Sequence, residues 1–173
     1  MTEQSYLSRI LQSYQESYDL TIPYSCEGLP FAAYGHFYAH QEKYMLVREV
    51  KMWESNGFDY VFFLEADTVT EHTIADMDRI IRSYAEPELV RGGGKYPVEN
   101  HMYSDITYVI LSKGRIEAPV VKLIQKYRFG KNYLFTLRGW CDARVVAVDL
   151  SENRVYGNGR AKKLIPFYRM LFD

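Results

Sequence analysis

Asp59-Tyr60-Val61-Phe62-Phe63-Leu64-Glu65-Ala66, DYVFFLEA, decides the fold of this chain. A strand with one wet face alternates apolar and polar residues, whereas a strand covered on both faces does not. Here consecutive positions from Tyr60 to Leu64 are all apolar, and Glu54-Ser55-Asn56-Gly57 precedes the run as a loop. The stretch therefore reads as an interior strand of a sheet with helices on its faces.

Upstream, Phe31, Ala33, Gly35, Phe37 and Ala39 alternate with Tyr34, His36, Tyr38 and His40, the pattern of a strand with a small or apolar inner face. Residues 44–53 (YMLVREVKMW) return as a second strand, so that 31–66 forms a three-strand meander. Residues 3–19 are amphipathic at helical spacing through Leu7, Ile10, Leu11, Tyr14 and Tyr18, with Thr2 as a cap. Pro23 and Gly28-Leu29-Pro30 break the chain between them.

Downstream, Thr70 caps a helix with the stripe Ile74, Met77, Ile80, Ile81 and Tyr84, ending before Glu86-Pro87. Ser104–Leu111 is a strand, and Glu117-Ala118-Pro119 opens a third helix. Tyr133–Leu150 reads as one long strand bent at Gly139, with Trp140 packed near the bend and Arg144 closing an ion pair. Arg154–Gly157 is a short return strand. Asn158 caps a last helix that Pro166 kinks or splits. The order α-β-β-β-α-β-α-β-β-α predicts an α/β (α+β) fold, one domain over residues 1–173, with a mixed sheet and helices on its faces.

The net charge of -1 hides a division. Residues 1–86 carry 6 Lys/Arg against 14 Asp/Glu, and residues 87–173 carry 15 against 8. Either the halves neutralise each other within the fold, or the basic half forms a surface for an anion such as a phosphate backbone. No apolar run approaches the roughly 20 residues that span a bilayer, and the first residues lack a secretory pattern, so a cytoplasmic protein without membrane contact is expected. Cys26 and Cys141 lack metal or redox spacing and read as reduced structural thiols.

Chemistry has few places to sit. Glu49-Val50-Lys51 falls on the second predicted strand, and Glu65 and Asp67 stand two apart at the end of the third. Glu49, Glu65 and Asp67 are oxygen ligands suited to Mg²⁺, with Lys51 beside them as the polarising base. The plainer alternative is a surface ion pair and a strand-end turn. Lys95 is followed by Tyr96, so the three glycines before it are not a phosphate loop. His36 and His40, four apart on a strand, are too far separated for one ion, and neither His72 nor His101 has an evident partner. Lys122, Lys126, Arg128 and Lys131, with Lys162 and Lys163 on the last helix, are candidates for anion or nucleic-acid binding, near Tyr127, Tyr133 and Phe135. They serve equally as a solvated face.

The element order and the Glu49/Lys51 pair resemble the restriction-endonuclease-like nuclease core over residues 3–111. That family carries its acidic–x–Lys pair on the third strand, where this chain has Glu65-Ala66-Asp67 without the lysine. Separately, KMW, DYVFF, GWCDARVVAVDL and RVYGN resemble a small bacterial family known only as uncharacterised, which implies a shared fold and no activity. The first functional expectation is a non-catalytic binding or protein-interaction domain, self-associating through an aromatic sheet edge. The alternative is a Mg²⁺-dependent phosphodiesterase or an inactive nucleic-acid-binding relative.

Overall fold

The structure, a computed structural model, describes residues 5–38 and 57–173. Its centre is a seven-stranded mixed sheet. Strand β5 (Phe58–Ala66) lies between β4 (Ala33–Tyr38), antiparallel to it, and β6 (Tyr103–Ser112), parallel to it. β6 is followed by β8 (Trp140–Asp149), again parallel. β1 (Asp19–Thr21) closes the sheet beyond β4. At the far edge β7 (Gly130–Asn132) and β9 (Arg154–Gly157) both pair antiparallel with β8, one near each end of it. The three-strand antiparallel opening is thus β1-β4-β5; the predicted strand at 44–53 lies outside the described residues.

The interior position of DYVFFLEA follows from its two apolar faces. Tyr60 and Phe62 pack with α2 (Glu71–Ile80) and α3 (Ala118–Lys126), whereas Val61 and Phe63 pack with α1 (Tyr6–Tyr14) and α4 (Ile165–Met170). The connections β5-α2-β6 and β6-α3-β8 step in one direction along the sheet, which places both crossover helices on one face. The terminal helices cover the other. Tyr6 donates to the Tyr168 carbonyl (2.6 Å), Arg9 to the Leu171 carbonyl (2.9 Å), and the Tyr14 and Tyr168 hydroxyls meet at 2.7 Å.

Several local readings change. α1 is shorter than 3–19, capped by Ser5, whose hydroxyl accepts from the Ser8 N–H. Residues 24–26 and 29–31 form a small hairpin, β2 (Tyr24–Cys26) and β3 (Leu29–Phe31), turned by Glu27 and Gly28 at φ 50° and 75°. The helix begun by α2 does not stop before Pro87. It continues as a π-helical stretch to Val90, with Arg91 N–H reaching the Glu86 carbonyl at 3.1 Å. Pro87 has no N–H to give and would clash in a regular α turn; the wider turn accommodates its ring. Tyr133–Leu150 is not one strand: β8 begins only at Trp140, and residues 133–139 form a turn after β7. Asn158 caps a short 3₁₀ turn (Gly159–Ala161), and Pro166 stands in the first turn of α4, so the last helix is split in two.

Asn158 does more than cap. Its side chain accepts from the Val145 N–H (2.9 Å) and donates to the carbonyls of Ala143 (3.0 Å) and Tyr127 (3.2 Å). It thereby satisfies β8 in the gap between β7 and β9, where no strand pairs.

Candidate functional site

Only two of the predicted metal ligands, Glu65 and Asp67, fall within the described residues. Glu49 and Lys51 lie outside the described residues. Glu65 is exposed at the end of β5, and Asp67 is tied to Lys113 at 2.9 Å, which holds its carboxyl below the usual range. Among the described residues there is no group of three His, Cys, Asp or Glu side chains placed to hold a metal ion. Neither cysteine is activated: burial pushes Cys26 up to about 11 and Cys141 well above its ordinary value.

The charged chemistry that the fold does assemble is at the opposite end, where β5, β6 and β8 begin. Asp59, Thr107 and Arg144 face the α1/α4 side on three adjacent strands. Arg144 Nη2 donates to Asp59 Oδ2 (2.7 Å) and Thr107 Oγ1 (2.8 Å), and Thr107 donates to Asp59 Oδ1 (2.7 Å). Tyr18 donates to Asp59 Oδ2 at 2.6 Å, and Asp105 approaches Arg144 Nη1 at 3.4 Å. Burial disfavours the Arg144 cation, but Asp59 and Asp105 outweigh it and keep the guanidinium charged. Asp105 is pushed up to about 6 by burial, and by Asp59 and Asp142 beside it, against the pull of Arg144. The ion pair expected of Arg144 is present. It is a closed network, with Asp59 and Thr107 buried.

A second buried pair was not legible in sequence. His101 Nδ1 lies 2.7 Å from the Arg138 carbonyl, which can only accept, so the proton sits on Nδ1. Nε2 then accepts from the Ser104 hydroxyl at 2.7 Å. Burial lowers the pKa of His101, so the ring is neutral near pH 7. A hydroxyl, a base and an orienting group are the parts of a nucleophile, yet Ser104 has no exposed surface and no substrate atom reaches it. The pair instead fastens the 95–102 segment to the turn before β8. His36, expected on the solvent face, is half-buried and stacked against Tyr60 at 5.1 Å; His40 lies outside the described residues.

The predicted cations divide. Lys131 pairs with Glu86 at 3.3 Å. Glu86 is buried, which raises its pKa, but hydrogen bonds from Arg91, Tyr133 and Lys131 together bring it below the usual value. Among the described residues, four of the fifteen basic residues in the second half (Arg91, Lys113, Lys131, Arg144) pair with acids of the first half. The charge division is therefore partly internal. Lys122, Lys126, Arg128, Lys162 and Lys163 are exposed and form no ion pair among the described residues. α3 and α4 lie on opposite faces of the sheet and both flank the β9 edge; Lys122 and Lys126 stand on α3, whereas Lys162 and Lys163, expected on the last helix, precede α4 in the segment after the 3₁₀ turn. Tyr133 and Tyr127 are not stacking surfaces. Their hydroxyls donate to Glu86 and Asp78, at 2.7 and 2.8 Å.

Phe135 is the exposed ring of this region. Leu134, Phe135 and Thr136 take φ of 48°, 52° and 73°, three successive left-handed residues without a glycine. Leu137 N–H bonds the Leu134 carbonyl, Gly139 N–H the Thr136 carbonyl, and Arg138 N–H the Tyr133 carbonyl, at 2.9–3.1 Å. The turn so fixed leaves Phe135 96% and Leu137 80% exposed, beside half-open Trp140, which stacks on Tyr103 at 5.9 Å. Leu-Phe-Thr-Leu has strand composition, which is why the turn escapes a sequence reading.

No helix among the described residues is long and apolar enough to cross a membrane. No curated protein and no solved structure matches the chain. The nuclease-core resemblance is not supported, since the match found is to a different family and two of its four proposed site residues, Glu65 and Asp67, stand at an exposed strand end. That match, to a domain of unknown function, DUF8052, covers residues 2–170, and the chain belongs to this family.

Proposed function

We propose that the protein is a non-catalytic binding domain of the cytoplasm whose contact surface is the 133–140 turn and the sheet edge beside it. One observation carries the reading: Phe135 stands 96% exposed on a run of three left-handed residues. Each left-handed non-glycine residue costs about 1–2 kcal/mol. Leaving a phenylalanine in water forgoes about 1.5–3 kcal/mol of burial. The isolated chain gains from neither, whereas a partner that covers Phe135 and Leu137 recovers the second. Strain held at a surface by a closed set of hydrogen bonds is characteristic of ligand clamps. A neighbouring tryptophan with arginine close by is the composition of an interface anchor.

The non-catalytic part of the reading is supported by the buried groups. Asp59, Thr107, Arg144, His101 and Ser104 are spent on one another. A photocrosslinking residue placed at position 135 tests the proposal in native cells, with the same residue at exposed position 71 on α2 as the control. Discrete adducts at 135 and none at 71 support it. No adducts, or the same ladder at both positions, overturn it.

A further inference from the structure

We infer that the ligand of this surface is a single-stranded nucleic acid laid along the β7/β9 edge; the inference rests on the binding-domain reading above. β7 and β9 flank β8 on the same side, and Asn158 and the Phe129 carbonyl, which accepts from the Ala143 N–H at 3.0 Å, fill the gap between them. The edge is thus continuous along Trp140–Asp149, about 33 Å at strand rise. Two grooves open on it. One of ≈ 740 Å³ runs over β9 between Gln125 of α3 and Arg169 of α4, and includes Arg154. The other, of ≈ 550 Å³, lies beside β7 and is lined by Lys131, Arg160 and Trp140.

Charge follows the same line. Arg154 and Arg169 line the first groove, Arg128 stands between α3 and β7, Lys122 and Lys126 are on α3, and Lys162 and Lys163 precede α4; all are exposed and without an ion pair among the described residues, although Arg154 is hydrogen-bonded to Tyr156 and attracted by Glu152. Asp142 and Asp173 also line the grooves, and Arg160 already engages Asp142 at 3.6 Å. The edge therefore keeps an excess of cations over about 33 Å, with the exposed rings of Trp140 and Phe135 at one end. A cationic track ending in open aromatic faces is how proteins hold unpaired bases: phosphates follow the cations and bases stack on the rings.

The alternatives fit less well. Strand addition by a protein needs a clean edge, and this one consists of strands of three and four residues bearing Lys131 and Arg154. A duplex hides its base faces, so it has no use for Phe135, and α3 and α4 both lie packed against the sheet, with neither projecting for a groove.

The test is fluorescence anisotropy with the full chain and labelled oligothymidylate, oligouridylate and a mixed-sequence duplex, from 50 to 200 mM salt (chosen on the order of the range over which phosphate contacts weaken). Heparin serves as a polyanion without bases. Salt-sensitive binding of both single strands in preference to duplex is expected. Arg154→Glu with Arg169→Glu lowers affinity tenfold or more, and flattens the salt slope by about 1.4. Phe135→Ala with Trp140→Ala lowers single-strand affinity about fivefold or more and leaves heparin binding unchanged. Lys113→Glu, at the opposite end of the strands, changes neither. Equal binding of duplex, or ring variants that bind normally, overturns the inference. So does absence of binding at low salt. In that last case, persisting protein adducts at position 135, including adducts to a second copy of this chain, leave the binding-domain reading standing. Loss of both signals removes both.

Discussion

Two neighbouring regions at the strand-start end of the sheet invert the usual arrangement of a globular protein. In the first, Asp59, Thr107 and Arg144 are charged or polar and buried, and every one of them is engaged. In the second, Leu134–Leu137 is largely apolar and exposed, on a backbone that its own residues disfavour. The inner group uses hydrogen bonds among β5, β6 and β8 to fix the register of three parallel strands. The outer group makes its own hydrogen bonds within the turn, and the turn is tied to the 95–102 segment through Arg138, so the fold keeps the group in place without gaining burial from it. Groups that stabilise are thus separated from groups that are free to bind, although β8 carries both Arg144 and Trp140.

Removing the inner cation should break this contrast most severely. Arg144→Met leaves Asp59 buried without its main partner, and removal of one member of a buried pair costs about 3–5 kcal/mol. Urea unfolding followed by far-UV circular dichroism should show that loss. A loss below about 1 kcal/mol would mean that the network contributes little beyond its packing. Phe135→Ser, by comparison, should change stability by no more than about 0.5 kcal/mol, as exposed substitutions do.

Gly139 joins the regions. It has φ +77°, and a Cβ there would run into the Met102 carbonyl, a backbone atom that cannot turn aside. Gly139→Ala should therefore cost about 2–3 kcal/mol, from overpacking and from the left-handed backbone together. It should also displace the Trp140 N–H from the Met102 carbonyl, which it bonds at 3.2 Å. A shift in tryptophan emission accompanied by unchanged urea stability would show that the turn gives way without cost, and would refute the view that it is rigidly held.

Asp105 sharpens the contrast by pH. Its folded pKa of about 6 lies above the ordinary carboxylate value, so between the two the folded chain binds more protons than the unfolded. Its contribution to stability is therefore present at low pH and lost as pH rises through about 6. Asp105→Asn removes this titration. The stability of the wild type relative to the variant should fall, on the order of 1 kcal/mol, as pH is raised from about 4 to about 7. Comparing two pH values cancels the constant effect of losing the contact with Arg144. A relative stability that rises with pH would put the Asp105 pKa on the other side of its ordinary value.

What was legible in the chain depended on whether a residue's role was decided locally. DYVFFLEA showed two apolar faces and is the interior strand. Thr70, Asn158 and Pro166 carry their effects in their own backbone chemistry, and each acts where expected. The π-helical continuation through Pro87 was hidden, because Glu86 is drawn inward by Arg91, Lys131 and Tyr133, and the last two are more than forty residues away. His101 had no visible partner because one of its contacts is a carbonyl thirty-seven residues on. Lys122 and Lys163 were read as candidates for one surface. The segments that carry them cover opposite faces of a sheet whose order no local pattern encodes. The turn at 134–136 was the hardest, since its residues prefer the strand conformation they do not adopt.

That conflict yields the smallest and most discriminating effect. Thr136 is β-branched at φ 73°, where only glycine is at ease. Thr136→Gly removes about 1 kcal/mol or more of backbone strain, and gives part of it back through the added freedom of the unfolded chain. The net expectation is a stabilisation of about 0.5–1 kcal/mol, read as a rise in the urea midpoint at unchanged slope. The same substitution loosens the turn that presents Phe135, so adduct formation at position 135 should fall even as the fold becomes more stable. Opposite signs in the two readouts are what strain retained for binding requires. Were Thr136→Gly destabilising, the left-handed run would be paid for by contacts of Thr136 itself, and its link to the exposure of Phe135 would be lost.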